Sequence, residues 1–136
     1  MKKIIIIVAG IILVLQFFPV KRDNPRITAD FYTPAVVKNI FTRGCYNCHS
    51  NQTKWPWYAY VAPVSWIVAQ NVNEGRAKLN FSEWGTYSGE KRAELMGKIW
   101  EKLDEDRMPP GLYSLMHSDS KISIEEKSLI KSWAGK

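Results

Sequence analysis

Apolar and polar positions divide this chain into an unbroken hydrophobic opening and a body patterned at helical spacing. Met1, Lys2 and Lys3 precede an apolar run from Ile4 to Leu15, which continues through Gln16, Phe17, Phe18 and Pro19 to Val20. No polar face interrupts the run, so it reads as a targeting segment and not as core. Lys21 to Thr33 is polar and contains Pro25, as suits a short tether or a loosely packed arm. Beyond it the punctuation is helical. Thr33 before Pro34 predicts an N-cap followed by a proline at the first helical position, with Val36, Val37, Ile40 and Phe41 as the apolar stripe up to Gly44. Pro63 opens a second predicted helix, whose Trp66, Ile67, Gln70 and Asn71 run towards Gly75. A third starts near Ser88, carries Leu95, Met96, Ile99, Trp100 and Leu103, and ends before Pro109 and Pro110. A fourth is signalled by Ser123 and Glu126 as a capping box, then Ile124, Leu129, Ile130 and Trp133 ahead of Gly135. Ser50 to Tyr60 and Leu79 to Ser88 show no clear period, and Ser114, Ser118 and Ser120 mark a looser loop. No stretch combines strand alternation with hairpin turn pairs, so the expected fold is all-α.

The opening run decides location. A helix from Ile4 to Val20 spans about 25 Å, just short of a hydrocarbon layer of roughly 30 Å, and snorkelling Lys3 and Lys21 would close the gap. A cleaved signal peptide needs small residues at its cleavage site, and Gln16 to Arg26 offers no Ala, Gly or Ser. Residues 1–20 are therefore expected to stay as a transmembrane anchor helix, with 21–33 as the tether. Flanking charge barely chooses an orientation, because Lys2 and Lys3 are matched by Lys21, Arg22 and Arg26.

The formal charge of +6 could suggest nucleic acid, but its distribution argues otherwise. Residues 1–43 hold seven Lys and Arg against Asp23 and Asp30, whereas 44–136 hold twelve against eleven acidic residues. The excess lies beside the apolar run, where anionic lipid head groups attract it, and no basic stripe crosses the body. No nucleic-acid partner is expected.

Cys45, Tyr46, Asn47, Cys48 and His49 form CxxCH, the attachment signal for haem c. On one helical turn positions i, i+3 and i+4 share a face, so two thiols can add to the haem vinyl groups while the imidazole reaches the iron. The motif uses both cysteines of the chain. Other uses of CxxC are a thioredoxin-like pair, which expects a βαβ context missing here, zinc, for which His117 is the only further His or Cys, and a disulfide in an interaction module without haem. Haem c is attached on the outer side of the energy-coupling membrane, which puts the expected N-terminus in the cytoplasm and residues 34–136, the haem domain, in the periplasm or cell exterior.

The sixth iron ligand sets what the iron can do. Met108 precedes Pro109 and Pro110, which force extended backbone and place its thioether on a stiff loop. The competing donors are His117 and Met116 in the looser loop, and the simplest use of Met108 is to fill a core gap. Met108 is favoured as the distal ligand, with His117 as the alternative. Trp66 is placed on the helix nearest the distal side. Arg43, Arg76 and Lys54 are candidates to neutralise a propionate, set against the simpler reading of solvated surface charge.

CxxCH near the start of the domain, Met-Pro-Pro far downstream and a final capped helix with a Trp resemble the order of parts in class I cytochromes c. More closely, Cys45 to Ser50, Trp55 to Tyr58, Ala62 to Trp66, Asn73 to Arg76, Leu79 to Trp84 and Met108 to Pro110 resemble a family of small bacterial haem-binding domains regarded as extracytoplasmic c-type cytochromes. The resemblance covers about residues 34–136. It implies one covalent haem c on Cys45, Cys48 and His49, with Met108 at the distal position, and supplies no partner.

The expected function is that of a membrane-anchored mono-haem electron carrier, not an enzyme, since an iron bound by both His and Met has no open site. Its partners would be redox proteins at the membrane surface. A haem sensor or haem enzyme with an open or labile sixth site is the alternative, and the sequence does not bear on oligomeric state.

Overall fold

The computed structural model describes residues 1–135, and among these every regular element is helical. Helix α1 covers Lys2–Leu15 and α2 Ala35–Gly44. The single turn α3, Tyr46–His49, follows after one residue. Helix α4 covers Val64–Lys78, α5 Gly89–Asp104, α6 Gly111–Met116 and α7 Ile124–Trp133. Short 3-10 turns occupy Trp57–Tyr60, Phe81–Thr86 and Ser118–Ser120.

The core is an aromatic cluster. Phe31, Phe41, Phe81 and Trp84 are buried together and Trp133 packs on them. Phe31 meets Phe41, Trp84 and Trp133 edge to face, with ring centroids 5.0–5.5 Å apart. Tyr46 stacks flat on Phe81 at 5.1 Å. Such pairs add to the burial of their large apolar area, and they fix α3 against this core. Leu95, Leu103 and Ile130 close it from α5 and α7.

Caps with the right chemistry appear where expected. Ser88 accepts from the Lys91 amide at 3.1 Å. Ser123 and Glu126 make both halves of the capping box, at 3.2 and 2.9 Å, and Gly135 follows the last helix with φ of 69°. Arg43 of α2 donates to the carbonyls of Asp119 and Lys121 and pairs with Glu126, tying α2 to the start of α7.

Several expectations are corrected. Helix α1 stops at Leu15 after 14 residues, not at Val20, and no helix among the described residues is long and apolar enough to cross a membrane. Gln16 is its C-cap and donates back to the Ile12 carbonyl at 2.7 Å. Thr33 is not a cap: its hydroxyl is buried without a partner, and Pro34, with ψ of 140°, stands just outside α2. The segment read as a tether is a fixed arm. Asn24 exchanges two hydrogen bonds with the Thr53 backbone, the Arg26 carbonyl accepts from Asn51 Nδ2, the Thr28 and Ala29 amides donate to the Ser82 carbonyl, and Phe31 enters the core. Helix α4 turns small residues inward, Ser65, Ala69, Val72 and Gly75, and leaves Ile67 exposed. Helix α6 lies where a loop was expected.

Candidate functional site

The CxxCH residues sit on α3, held from three sides. Cys45 caps the turn, and its carbonyl accepts from the amides of Cys48 and His49 at 3.1 and 2.9 Å. Helix α4 crosses behind at Gly75. A Cβ there would lie 2.5 Å from the Cys48 carbonyl oxygen, so only glycine lets the two backbones meet this closely. Below the turn, Ser50, Asn51, Asn80 and Ser82 are buried and bonded to one another or to nearby backbone. Ser50 Oγ donates to the Tyr46 carbonyl, Asn80 Nδ2 to Asn51 Oδ1, and the Asn51 amide to Ser82 Oγ, all at 2.7–2.9 Å. A fully satisfied buried network of this kind rigidifies what it supports. Arg76 adds a clamp, donating to the Ser50 carbonyl at 2.7 Å and to Thr53, Asn24 and the Asp23 carbonyl.

The ring of His49 is oriented by this scaffold. Its Nδ1 lies 2.9 Å from the Gly75 carbonyl and 3.2 Å from that of Leu79. Carbonyls only accept, so Nδ1 carries the proton and Nε2 keeps its lone pair. Burial, against the opposing pull of those carbonyls, lowers the pKa of the ring and keeps it neutral. A neutral imidazole with its far nitrogen pinned to backbone is the form that ligates a metal.

Both thiols are unbridged. Burial, with the neighbouring Cys48, pushes Cys45 up to about 12, and burial raises Cys48 as well. A dithiol redox pair requires a depressed thiol, so this environment disfavours that use. Among the described residues no three His, Cys, Asp or Glu side chains gather as a metal-ion cluster. The donor set fits haem c: two protonated thiols and one oriented imidazole on a single turn. The buried Trp55 indole N–H, on the loop after the turn, has no partner in the protein and is free for an acceptor the chain does not supply.

The two distal candidates are placed differently. Met108 lies on the loop between α5 and α6, 37% exposed, its amide bonded to the Lys102 carbonyl. His117 ends α6, and its Nε2 shares a 2.7 Å hydrogen bond with the Tyr58 hydroxyl while its ring stacks on Tyr113 at 4.4 Å. Asn47, between the two cysteines, donates to the Tyr113 hydroxyl at 2.7 Å. Burial raises both phenols, and Cys48 nearby adds to it. Tyr58, Tyr113 and Asn47 were not singled out by sequence reasoning. Asn47 falls inside the motif, but nothing in its spacing announces the partner.

Trp66 donates its indole N–H to the Phe18 carbonyl at 2.9 Å, on the N-terminal arm. Arg43 and Arg76 are committed to protein acceptors, leaving Lys54 as the exposed cation of the three proposed for a propionate.

The model of the haem-binding domain family matches residues 10–136, from within α1 to the end of the chain. The chain belongs to that family. The match begins further upstream than residue 34, consistent with an arm that is part of the domain. This haem-binding domain is also 26% identical over 131 residues to a cytochrome c peroxidase of Escherichia coli (strain K12), an alignment covering 84% of the chain and 27% of that protein. It thus spans about a quarter of the length of that curated relative. No solved structure matches.

Proposed function

We propose that this haem-binding domain is an extracytoplasmic c-type cytochrome, held at the cytoplasmic membrane by α1, that passes single electrons between redox proteins at the membrane surface. The observation that carries the reading is the α3 turn, where Cys45 and Cys48 are unbridged and His49 presents Nε2 with Nδ1 bonded to two backbone carbonyls. Cys45 and Cys48 would form the thioethers and His49 the proximal bond. Haem c held there supplies a one-electron ferric–ferrous couple. The residues around it orient the imidazole and keep water from its proximal face. We assign Met108 as the sixth ligand, because His117 is already bonded to Tyr58 and stacked on Tyr113, whereas Met108 stands partly exposed on the loop between α5 and α6.

The specific observation favouring a second reading, a haem enzyme, is the similarity to a protein named as a cytochrome c peroxidase. In that reading the sixth site is open, and the titratable Tyr58–His117 pair, linked to Asn47 of the turn through Tyr113, is the candidate for proton transfer.

Optical spectra separate the two. With Met108 bound, the oxidised protein is expected to show the weak sulfur-to-iron charge-transfer band, and the reduced protein to resist CO. Met108→Ala should abolish the band and admit CO, and His117→Ala should leave both as they were. If His117→Ala alone opens the iron, His117 is the ligand. Ready binding of CO by the unmodified protein would establish the open-site reading.

A further inference from the structure

Helix α1 buries none of its residues, and from Ile4 to Val14 it presents a row of exposed isoleucines, leucines and valines. At 14 residues it is about 21 Å long, some 9 Å short of a typical hydrocarbon layer. Its end is not free. The Gln16 carboxamide makes a reciprocal pair with one residue of the haem domain, accepting from the Ala62 amide at 3.0 Å and donating to the Ala62 carbonyl at 3.2 Å. Two residues on, the Phe18 carbonyl takes the Trp66 indole N–H. Arg22 then donates to the Ala59 carbonyl at 3.2 Å and lies over the Tyr60 ring, 4.5 Å from its centroid. No slack remains between the apolar helix and the domain.

The corner to which α1 is clamped is itself apolar and uncovered. Trp57 is 75% exposed, and Tyr60, Val61, Val64 and Ile67 are exposed beside it. Trp and Tyr at the edge of an apolar surface have the composition of a membrane–water interface, where amphipathic rings sit at head-group level; of the basic residues beside them, Lys21 is exposed and paired with Asp23 at 2.8 Å, and Arg22 is held by the Ala59 carbonyl.

We infer that this corner, the 3-10 turn Trp57–Tyr60 with the first turn of α4, is a lipid-docking surface that seats the haem domain on the bilayer entered by α1. The inference rests on the membrane reading above and deepens it. Interfacial apolar faces sink about 5–10 Å into the head-group and acyl boundary, which matches the 9 Å that α1 lacks. Gly75, which holds His49, lies eleven residues beyond Val64, about 16 Å along α4, so the haem site is carried at a set distance from the docked corner. The domain would then meet membrane-embedded partners in one orientation, not swing on a tether.

Photo-cross-linking tests this with the full haem-loaded chain in vesicles of phosphatidylcholine and phosphatidylglycerol that carry a phospholipid with a diazirine near its glycerol backbone. Mass spectrometry is expected to find lipid adducts on residues 2–15 and also on 57–67, the latter about tenfold above those on α6, whose exposed Leu112 and Leu115 control for mere stickiness, and on Tyr32. Adducts on residues 2–15 without adducts on 57–67 would overturn the docking surface and leave the anchor standing. Adducts on neither would remove the membrane reading and the docking surface together.

Discussion

Replacing Cys45 and Cys48 together by alanine is expected to abolish haem retention under denaturing conditions, the largest single effect available in this chain. Noncovalent haem is lost when a protein unfolds, whereas a thioether is not, so a haem-stained denaturing gel should fall from full intensity to background. Each single variant keeps one thiol and should keep part of the stain. The two sites are not equivalent in packing. Cys45 lies against the aromatic core, and Cys48 faces the Gly75 crossing and the Tyr58–Tyr113 side. The variants also discriminate between uses of CxxC. A redox pair or staple would show a disulfide-dependent mobility shift in the unmodified chain, which the raised thiols of Cys45 and Cys48 argue against. Haem stain that persists in the double variant would show that the attachment chemistry lies elsewhere.

The turn that carries Cys45, Cys48 and His49 was legible in the sequence because the i, i+3, i+4 spacing on one turn is a local relation that the sequence states directly. Helix starts at Ser88 and Ser123 were legible for the same reason, since a cap is a local hydrogen bond between residues three apart. What stayed hidden depends on residues distant in the chain. The run from Trp66 towards Gly75 marked α4 as a helix but not its inward face, which must clear α3: Ser65, Ala69 and Gly75 allow the approach while Trp66 is drawn to Phe18. The polar arm looked like a tether because its composition is that of one; its order comes from Asn51, Thr53, Arg76 and Ser82, 23 to 54 residues away in sequence from the arm residues or from Thr53 that they bind. Thr33 shows the converse, a residue with the right identity for a cap whose hydroxyl finds no donor. Apolar length alone overstated α1, which ends at Leu15, one residue before the Gln16 that pairs with Ala62.

Gly75→Ala provides the sharpest test of how the site is held. An added Cβ would stand 2.5 Å from the Cys48 carbonyl oxygen, 3.1 Å from its carbonyl carbon and 3.3 Å from its Cβ. Two of these neighbours are backbone and cannot rotate away, so α4 must retreat from the attachment turn. Overpacking of this kind costs about 1–3 kcal/mol, of which the better helix propensity of alanine returns about 1. The retreat also draws the Gly75 carbonyl away from His49 Nδ1, and a stretched or lost hydrogen bond there costs about 1 kcal/mol more. A net loss of about 1–3 kcal/mol is expected, a fall of roughly 5–15 °C in the unfolding midpoint for a domain of this size. The reduction potential should shift too, since an imidazole that loses its carbonyl partner is a weaker donor to iron. Gly89→Ala is the matched control. It also lies in a helix, yet nothing stands within 4 Å of its Cβ position, so the same substitution should leave potential unchanged and raise stability by up to about 1 kcal/mol. If Gly75→Ala melts at or above the Gly89→Ala variant with an unchanged potential, α4 is not pressed against the Cys48 carbonyl, and the orientation of His49 must come from elsewhere.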